Sequence, residues 1–274
     1  MKLPINPGAN PAAQLPNDVY MLPQEARVNL MGQKTNCYLL FTERGTLVVD
    51  PPSERAEQLD EIMKAARGPI VGILLTHTHP DHTGGVAALV ARTGVAVYAH
   101  PKAQAYLASD LTFNAINEGD IFGWQVLAMP GHRFDSLCFY SPSSGCAIVG
   151  DLVAGAGTVV LSPSDGDLLD YLHSLRRLRD EVRPTLLAPG HGPLIDQPET
   201  LITHYINHRF AREQLVLSAL NNRATTLSAL LPRAYPKLNP TLYPLAEHSL
   251  LSHLIKLQKE GRAKEVDGSW LLVE

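Results

Sequence analysis

The run Thr76-His77-Thr78-His79-Pro80-Asp81-His82 puts three imidazoles and one carboxylate within six positions. Neutral imidazole and carboxylate are the ligand types that hold Zn²⁺, Fe²⁺ or Mn²⁺. In a loop leaving a strand, His77 and His79 project the same way. Asp81 and His82 then face a second position as the chain turns into a helix, and Pro80 stiffens that turn. One loop cannot fill two coordination spheres. Three further loops offer the missing ligands: Pro130-Gly131-His132, Gly150-Asp151 and Pro189-Gly190-His191-Gly192. Each sets a small residue beside the ligand, so the backbone can approach the site closely. The expected chemistry is hydrolytic. Two divalent metals, zinc first with iron or manganese as alternatives, bring the pKa of a bound water towards ~7. The resulting hydroxide, bridging the metals, attacks a carbonyl carbon or a phosphorus. Asp81 and Asp151 are the carboxylates expected to act in catalysis as well as in metal binding. There is no G-x-S-x-G run to supply a serine nucleophile instead.

These loops need strands to carry them. Ile70–Leu75 is a continuous apolar run of strand length, as in a strand covered on both faces. Strands are also expected over Cys37–Thr42, Thr46–Asp50, Val95–Ala99, Phe122–Met129, Leu137–Ser141, Cys146–Gly150 and Thr185–Ala188. Helices are expected from Ser53, as its cap, to about Arg67, and over Gly85–Arg92 and Asp167–Val182. The first 20 residues read as an extended arm. Paired strands followed by strands alternating with helices mean a layered α/β domain. Past Pro198 the pattern changes. A long helix, Glu199–Leu220, leads into short helical stretches, a helix at Ser249–Leu257 and a hairpin with Asp267-Gly268 at its turn. The expected division is 1–198 and 199–274.

The chain has 274 residues, 23 basic and 27 acidic side chains, 11 histidines and 3 cysteines. Three scattered cysteines exclude a disulfide scaffold. No run approaches the ~20 apolar residues of a membrane span. The N-terminus reads neither as a secretory signal nor as a transit peptide, so a cytoplasmic protein is expected. Residues 198–274 carry 9 basic and 7 acidic side chains, too few and too balanced for phosphate contacts. DNA binding is therefore not expected.

The ligand motifs, in this order over residues 26–192, resemble the metallo-β-lactamase superfamily. That resemblance implies a four-layer αββα fold. It implies one metal on His77, His79 and His132, a second on Asp81, His82 and His191, and Asp151 bridging both, similar to the glyoxalase II type. Asp50 matches a position that supports the site from behind its ligands, and Ser136 is placed to do the same. Arg133 stands where superfamily members often carry a threonine, and is expected either to bind an anionic substrate group or to point outward. The Pro189–Asp196 run PGHGPLID, the His208-Arg209 to Arg212-Glu213-Gln214 run and the small helical tail resemble the β-lactamase-like protein 2 family. That resemblance covers nearly the whole chain, implies a winged-helix-like C-terminal module, and the family includes a single-stranded-RNA endonuclease. On the long helix, His204, His208 and Arg212 form one polar stripe, either a solvated face or a wall of the substrate cleft. The tail is expected to pack against the catalytic domain, shape its cleft or join two copies into a homodimer. The leading functional expectation is hydrolysis of a small-molecule acyl bond (thioester, ester or lactone). The alternatives are cleavage of single-stranded RNA and iron-dependent sulfur dioxygenase chemistry.

Overall fold

Every residue from Thr35 to Leu40 in strand β2 (Thr35–Thr42) is buried. Side chains alternate across a strand, and both sides of this one are covered. Cys37 and Leu39 pack in a core shared with helices, Tyr38 and Leu40 in a core shared with a second sheet. Such double burial is why the apolar runs are continuous rather than alternating. The computed structural model describes residues 4–26, 33–109 and 111–273. The first sheet has six strands in sequential order: β1 (Val19–Gln24), β2, β3 (Gly45–Val49), β4 (Ile70–Leu74), β5 (Val97–Ala99) and β6 (Asn114–Ala115). The second has five: β7 (Gly119–Ile121), β8 (Trp124–Ala128), β9 (Leu137–Ser141), β10 (Cys146–Gly150) and β11 (Leu186–Pro189), running from β7 at one edge to β11 at the other.

Between the sheets lies a core containing Tyr38, Leu47 and Leu74 from the first and Val126, Phe139 and Ile148 from the second. Helices α1 (Ala56–Ala65) and α3 (Val86–Thr93) cover the outer face of the first sheet through Leu59, Ile62, Val86 and Leu89. Helix α4 (Leu168–Arg177) and the first half of α5 (Pro198–Ala219) cover the second. The short helix α2 (Pro80–Thr83) follows β4. The layers are therefore αββα, as expected. The functional loops all follow strand ends: β3, β4, β8, β10 and β11.

Several local expectations change. A six-residue strand, β1, pairs along β2 from Val19↔Leu40 to Gln24↔Thr35. Pro23 breaks its apolar run in the sequence, and a strand at a sheet edge tolerates a proline. The run beginning at Phe122 is not one strand. Phe122 (φ 54°) and Gly123 (φ 89°) form a left-handed two-residue turn between β7 and β8. Ser53 does not cap α1; the cap residue is Arg55, whose N–H donates to Ser53 Oγ at 3.2 Å. The helix at 167–182 splits into α4 and a wider turn over Leu178–Val182. Of the stretch 26–192 that carries the resemblance, residues 27–32 lie outside the described residues.

The tail has its own core. Val216, Ala219 and Leu220 from the end of α5 meet Leu230 and Leu231 of α6 (Leu227–Ala234) and Leu250, Leu254 and Leu257 of α7 (Tyr243–Lys259). Trp270 closes it from a small sheet ordered β12 (Thr225–Thr226), β14 (Ser269–Leu272), β13 (Ala263–Val266). Asp267 and Gly268 have φ of 48° and 74°, the left-handed pair that a two-residue hairpin turn requires. Helix α5 therefore contributes to both cores.

Candidate metal centre

His77 and His79 leave β4 on the same side, and His132 reaches them from the loop after β8. His77 Nε2 and His132 Nε2 each lie 3.0 Å from His79 Nδ1. His82, on α2, meets His191, from the loop after β11, in a second group. There His191 Nε2 is 3.3 Å from Asp81 Oδ2. Asp151, directly after β10, lies between the groups. Its Oδ2 is 3.8 Å from His132 Nε2 and 3.4 Å from His191 Nε2, and its Oδ1 is 3.5 Å from His82 Nε2. Ligand atoms ~2.1 Å from a tetrahedral ion stand roughly 3.4 Å apart, so both groups have the spacing of a ligand set. Moreover, His82 Nε2 and Asp151 Oδ1 are buried without a hydrogen-bond partner. An orphaned buried polar atom costs about 1–3 kcal/mol, which an ion between the two would relieve.

Each ring is held at its other nitrogen. His77 Nδ1 is 3.0 Å from Thr76 Oγ1, His79 Nε2 3.1 Å from Asp165 Oδ2 and His82 Nδ1 2.8 Å from Asp50 Oδ2. His132 Nδ1 is 3.0 Å from the Val160 carbonyl, and His191 Nδ1 3.0 Å from that of Lys34. Such partners fix the tautomer and leave the opposite nitrogen facing the site. Asp50, with His77 and His82, is also close enough to form a ligand group. Its oxygens, however, already accept from Thr76 N (2.8 Å) and Thr76 Oγ1 (2.5 Å) as well as meeting His82.

The two groups differ electrostatically. Burial first, and then neighbouring imidazoles, hold His77 well down, and His132 is pushed down to about 4 by burial despite Asp151. Burial also acts on His82 and His191, but nearby carboxylates outweigh it. Asp151 with Asp50 pushes His82 up to about 10, and Asp151 with Asp81 pushes His191 up to about 11. Burial would lift the Asp151 carboxyl, yet His191 and His82 hold it well below the usual carboxylate range. His77 and His132 are thus neutral and ready to ligate, whereas His82 and His191 hold protons that a bound metal would have to displace.

Arg133 neither points outward nor stands free. It is buried, its Nε donates to Asp135 Oδ1 (3.1 Å), its Nη1 donates to Asp165 Oδ2 (3.0 Å), and its guanidinium lies 4.1 Å from the Tyr106 ring centre. Two carboxylates neutralise it, and through Asp165 it reaches His79. Ser136 Oγ accepts from Arg133 N at 3.2 Å, shaping the loop rather than touching a ring. Along α5, His204 is exposed, with its ring stacked toward that of His208 at 6.4 Å. His208 and Arg212 line a cavity beside residues 158–161.

Sequence reasoning missed Asp165 and the carbonyls of Val160 and Lys34. Backbone partners leave no side-chain signal. Asp165 sits in Ser162-Pro163-Ser164-Asp165-Gly166, which reads only as a turn. Gly190, by contrast, has a visible reason: a Cβ there would lie 2.3 Å from Asp151 Oδ1.

Known proteins resemble the chain to different degrees. A family profile described as the metallo-beta-lactamase superfamily matches residues 31–191, and one described as the beta-lactamase associated winged helix domain matches 226–270. A Drosophila melanogaster protein named beta-lactamase-like protein 2 homolog is 30% identical over 253 residues, covering 85% of each chain. The atrochrysone carboxyl ACP thioesterase of Aspergillus fumigatus is 35% identical over 204 residues; these cover 69% of this chain and only 61% of that protein. Among solved structures, a beta-lactamase domain protein from Burkholderia ambifaria superposes with a TM-score of 0.80 over 98% of this chain and 97% of its own, at 21% identity, a likeness of fold. A protein crystallised in a di-iron-bound form is 30% identical, with a TM-score of 0.54 over 65% of this chain and 96% of its own. With the first profile spanning more than half its length and the second matching its tail, the chain belongs to the metallo-beta-lactamase superfamily of hydrolases.

Proposed function

We propose that the chain is a dinuclear metal-dependent hydrolase of acyl bonds, with thioesters as its first substrate class. The observation that carries this reading is the position of Asp151, 3.8 Å from His132 Nε2 on one side and 3.4 Å from His191 Nε2 on the other. In this reading His77, His79 and His132 hold one ion, Asp81, His82 and His191 the other, and Asp151 touches both. When bound, the two metals supply Lewis acidity and bring the pKa of water towards ~7. The chain's own groups keep the geometry fixed. Asp165, Val160 and Thr76 orient the first three rings; Asp50 and Lys34 orient the other two. Asp81 and Asp151 supply the negative charge that balances two divalent ions. Similarity to an acyl-carrier-protein thioesterase supports acyl chemistry. A thiolate leaves without a proton from a general acid, which suits a site built from ligands alone. Similarity to a protein crystallised with two irons supports the two-metal reading, and leaves the metal to be measured.

The test joins metal analysis to a substrate panel. Protein purified anaerobically should hold about two metals per chain. It should hydrolyse acyl-N-acetylcysteamine thioesters faster than lactones, and Asp151→Ala should abolish turnover. Cleavage of labelled single-stranded RNA with no thioester turnover would overturn the acyl reading. A single tightly held iron would overturn the dinuclear one.

A further inference from the structure

A cavity of about 350 Å³ opens between the α/β layers and the tail, and no residue of the metal-ligand groups lines it. Its apolar side is made by Val159, Leu161, Leu238, Leu242 and Leu245. Leu242 and Leu245 stand at its mouth, 46% and 45% exposed. Two arginines of α5 face them. Arg209 is 4% exposed; its Nη2 donates to the Val159 carbonyl at 2.7 Å, and its Nε has no partner. Arg212 donates from Nε to His208 Nε2 at 3.3 Å, and its guanidinium lies over the Tyr235 ring. Neither arginine has a carboxylate partner among the described residues. The acid next to Arg212 on the same helix, Glu213, is bound to Lys256 (2.6 Å) and Arg262 (3.3 Å) instead.

Nearby imidazoles are kept neutral. Burial first, and then Arg209 with Arg212, push His208 down to about 4. Burial, and then Arg209 with Lys256, push the buried His253 down to about 3. An unpaired buried N–H is expensive, and an apolar wall beside it selects what can relieve that cost.

We propose that this cavity is a second ligand site, taking a small amphipathic carboxylate such as a medium-chain fatty acid. Its carboxylate would bind Arg209 and Arg212, and its chain would lie on Val159, Leu161, Leu238, Leu242 and Leu245. An occupant touches residues 158–161, the same segment whose Val160 carbonyl orients His132. The site does not depend on which bond the metal centre cleaves.

Binding, read without catalysis, tests it. The full chain is titrated with anilinonaphthalenesulfonate, an amphipathic anion that fluoresces in apolar surroundings. Dodecanoate then competes, with neutral dodecanol as the control. One saturable site is expected, with dodecanoate displacing the probe about tenfold or more better than dodecanol. Arg212→Gln should remove that preference, and Leu245→Glu, on an exposed side chain, should abolish binding of both. Should Arg212→Gln lower the melting temperature, the dodecanoate-to-dodecanol ratio within wild type still decides. Equal affinity for the two competitors, or wild-type dodecanoate affinity in Arg212→Gln, would overturn the site. So would sedimentation showing a dimer in which wild type ignores the probe and Leu245→Glu, now monomeric, binds it; a second copy would then be the occupant.

Discussion

Gly190→Ala is a one-atom test of how closely the loop after β11 approaches the metal centre. Gly190 is not among the residues with positive φ, so alanine adds no backbone strain. The added Cβ would stand 2.3 Å from Asp151 Oδ1 and 2.7 Å from His82 Cε1, where ordinary contact begins at 3.4 Å. The Asp151 carboxylate must therefore retreat from the added Cβ by about 1 Å. A displacement of that size at a reacting centre costs on the order of a hundredfold in rate, or ~2.7 kcal/mol. The crowding itself costs about 1–3 kcal/mol of stability. Gly131→Ala is the contrast. Its φ is 140°, and its Cβ would meet the Tyr171 backbone at 2.2 Å, which cannot yield, so that variant should fail to fold. Gly190→Ala should fold, as followed by circular dichroism. By mass spectrometry its metal content should fall from about two per chain towards about one, and thioester turnover should drop about a hundredfold. A Gly190→Ala protein with both metals and full turnover would refute the reasoning, because the crowded atoms would then not be the ones that matter.

Zinc added to metal-free protein near pH 8 should release at least the two protons held by His82 and His191 (pKa about 10 and about 11). Calorimetry in buffers of different ionisation enthalpy measures this, and no release would contradict the electrostatics. The same raised values stabilise the metal-free fold fully below the unfolded histidine pKa of ~6.5, and that contribution is lost as pH rises through the folded values. The lowered Asp151 acts at the other end: its contribution is present above ~4 and is lost on acidification. Against these, His77, His132, His208 and His253 are held down, so unfolding takes up their protons below ~6.5. Melting temperature of the metal-free protein should thus peak near pH ~6.5 and decline on both sides; a flat profile would count against it. Asp50→Ala frees His82 Nδ1 and the Thr76 hydroxyl and should weaken metal binding about 10–100-fold by competition with a chromophoric chelator. Arg133→Leu strands buried Asp135 and should cost about 3–5 kcal/mol in urea unfolding; a loss below about 1 kcal/mol would mean that the clamp is idle.

Side-chain chemistry was the legible part of this molecule. Three imidazoles and a carboxylate between 77 and 82, after an apolar strand, mark a candidate metal centre because ligand type and spacing are written in the residues themselves. The αββα layers follow from runs such as Ile70–Leu75, whose continuity reflects two covered faces. What stayed hidden depends on contacts far apart in the chain. Arg133 reads as a free cation until Asp165, 32 positions on, closes on it. Val160 holds His132 through a carbonyl, which every residue has. The edge strand β1 is cut short in the sequence by Pro23 after a four-residue apolar run, and Phe122 sits in a left-handed turn where glycine would be expected. The tail's hairpin was legible because Asp-Gly names its own turn.

Helix α5 spans 22 residues, a rod about 33 Å long. It is seated at one end by Leu201, Ile202, Tyr205 and Ile206 and at the other by Val216, Ala219 and Leu220. Two units sharing one continuous helix have no joint at which to swing, since bending between them means breaking backbone hydrogen bonds. Tyr205 pins the first end further, its hydroxyl accepting from Ala154 N (3.3 Å) and Asn6 Nδ2 (3.2 Å). Cutting the chain at residue 198 would therefore not trim a tail; it would pull four side chains out of the other core. A protease should open the chain first at 221–224, beyond the helix end. Heat should melt both cores in a single transition, with the rod carrying cooperativity from one to the other.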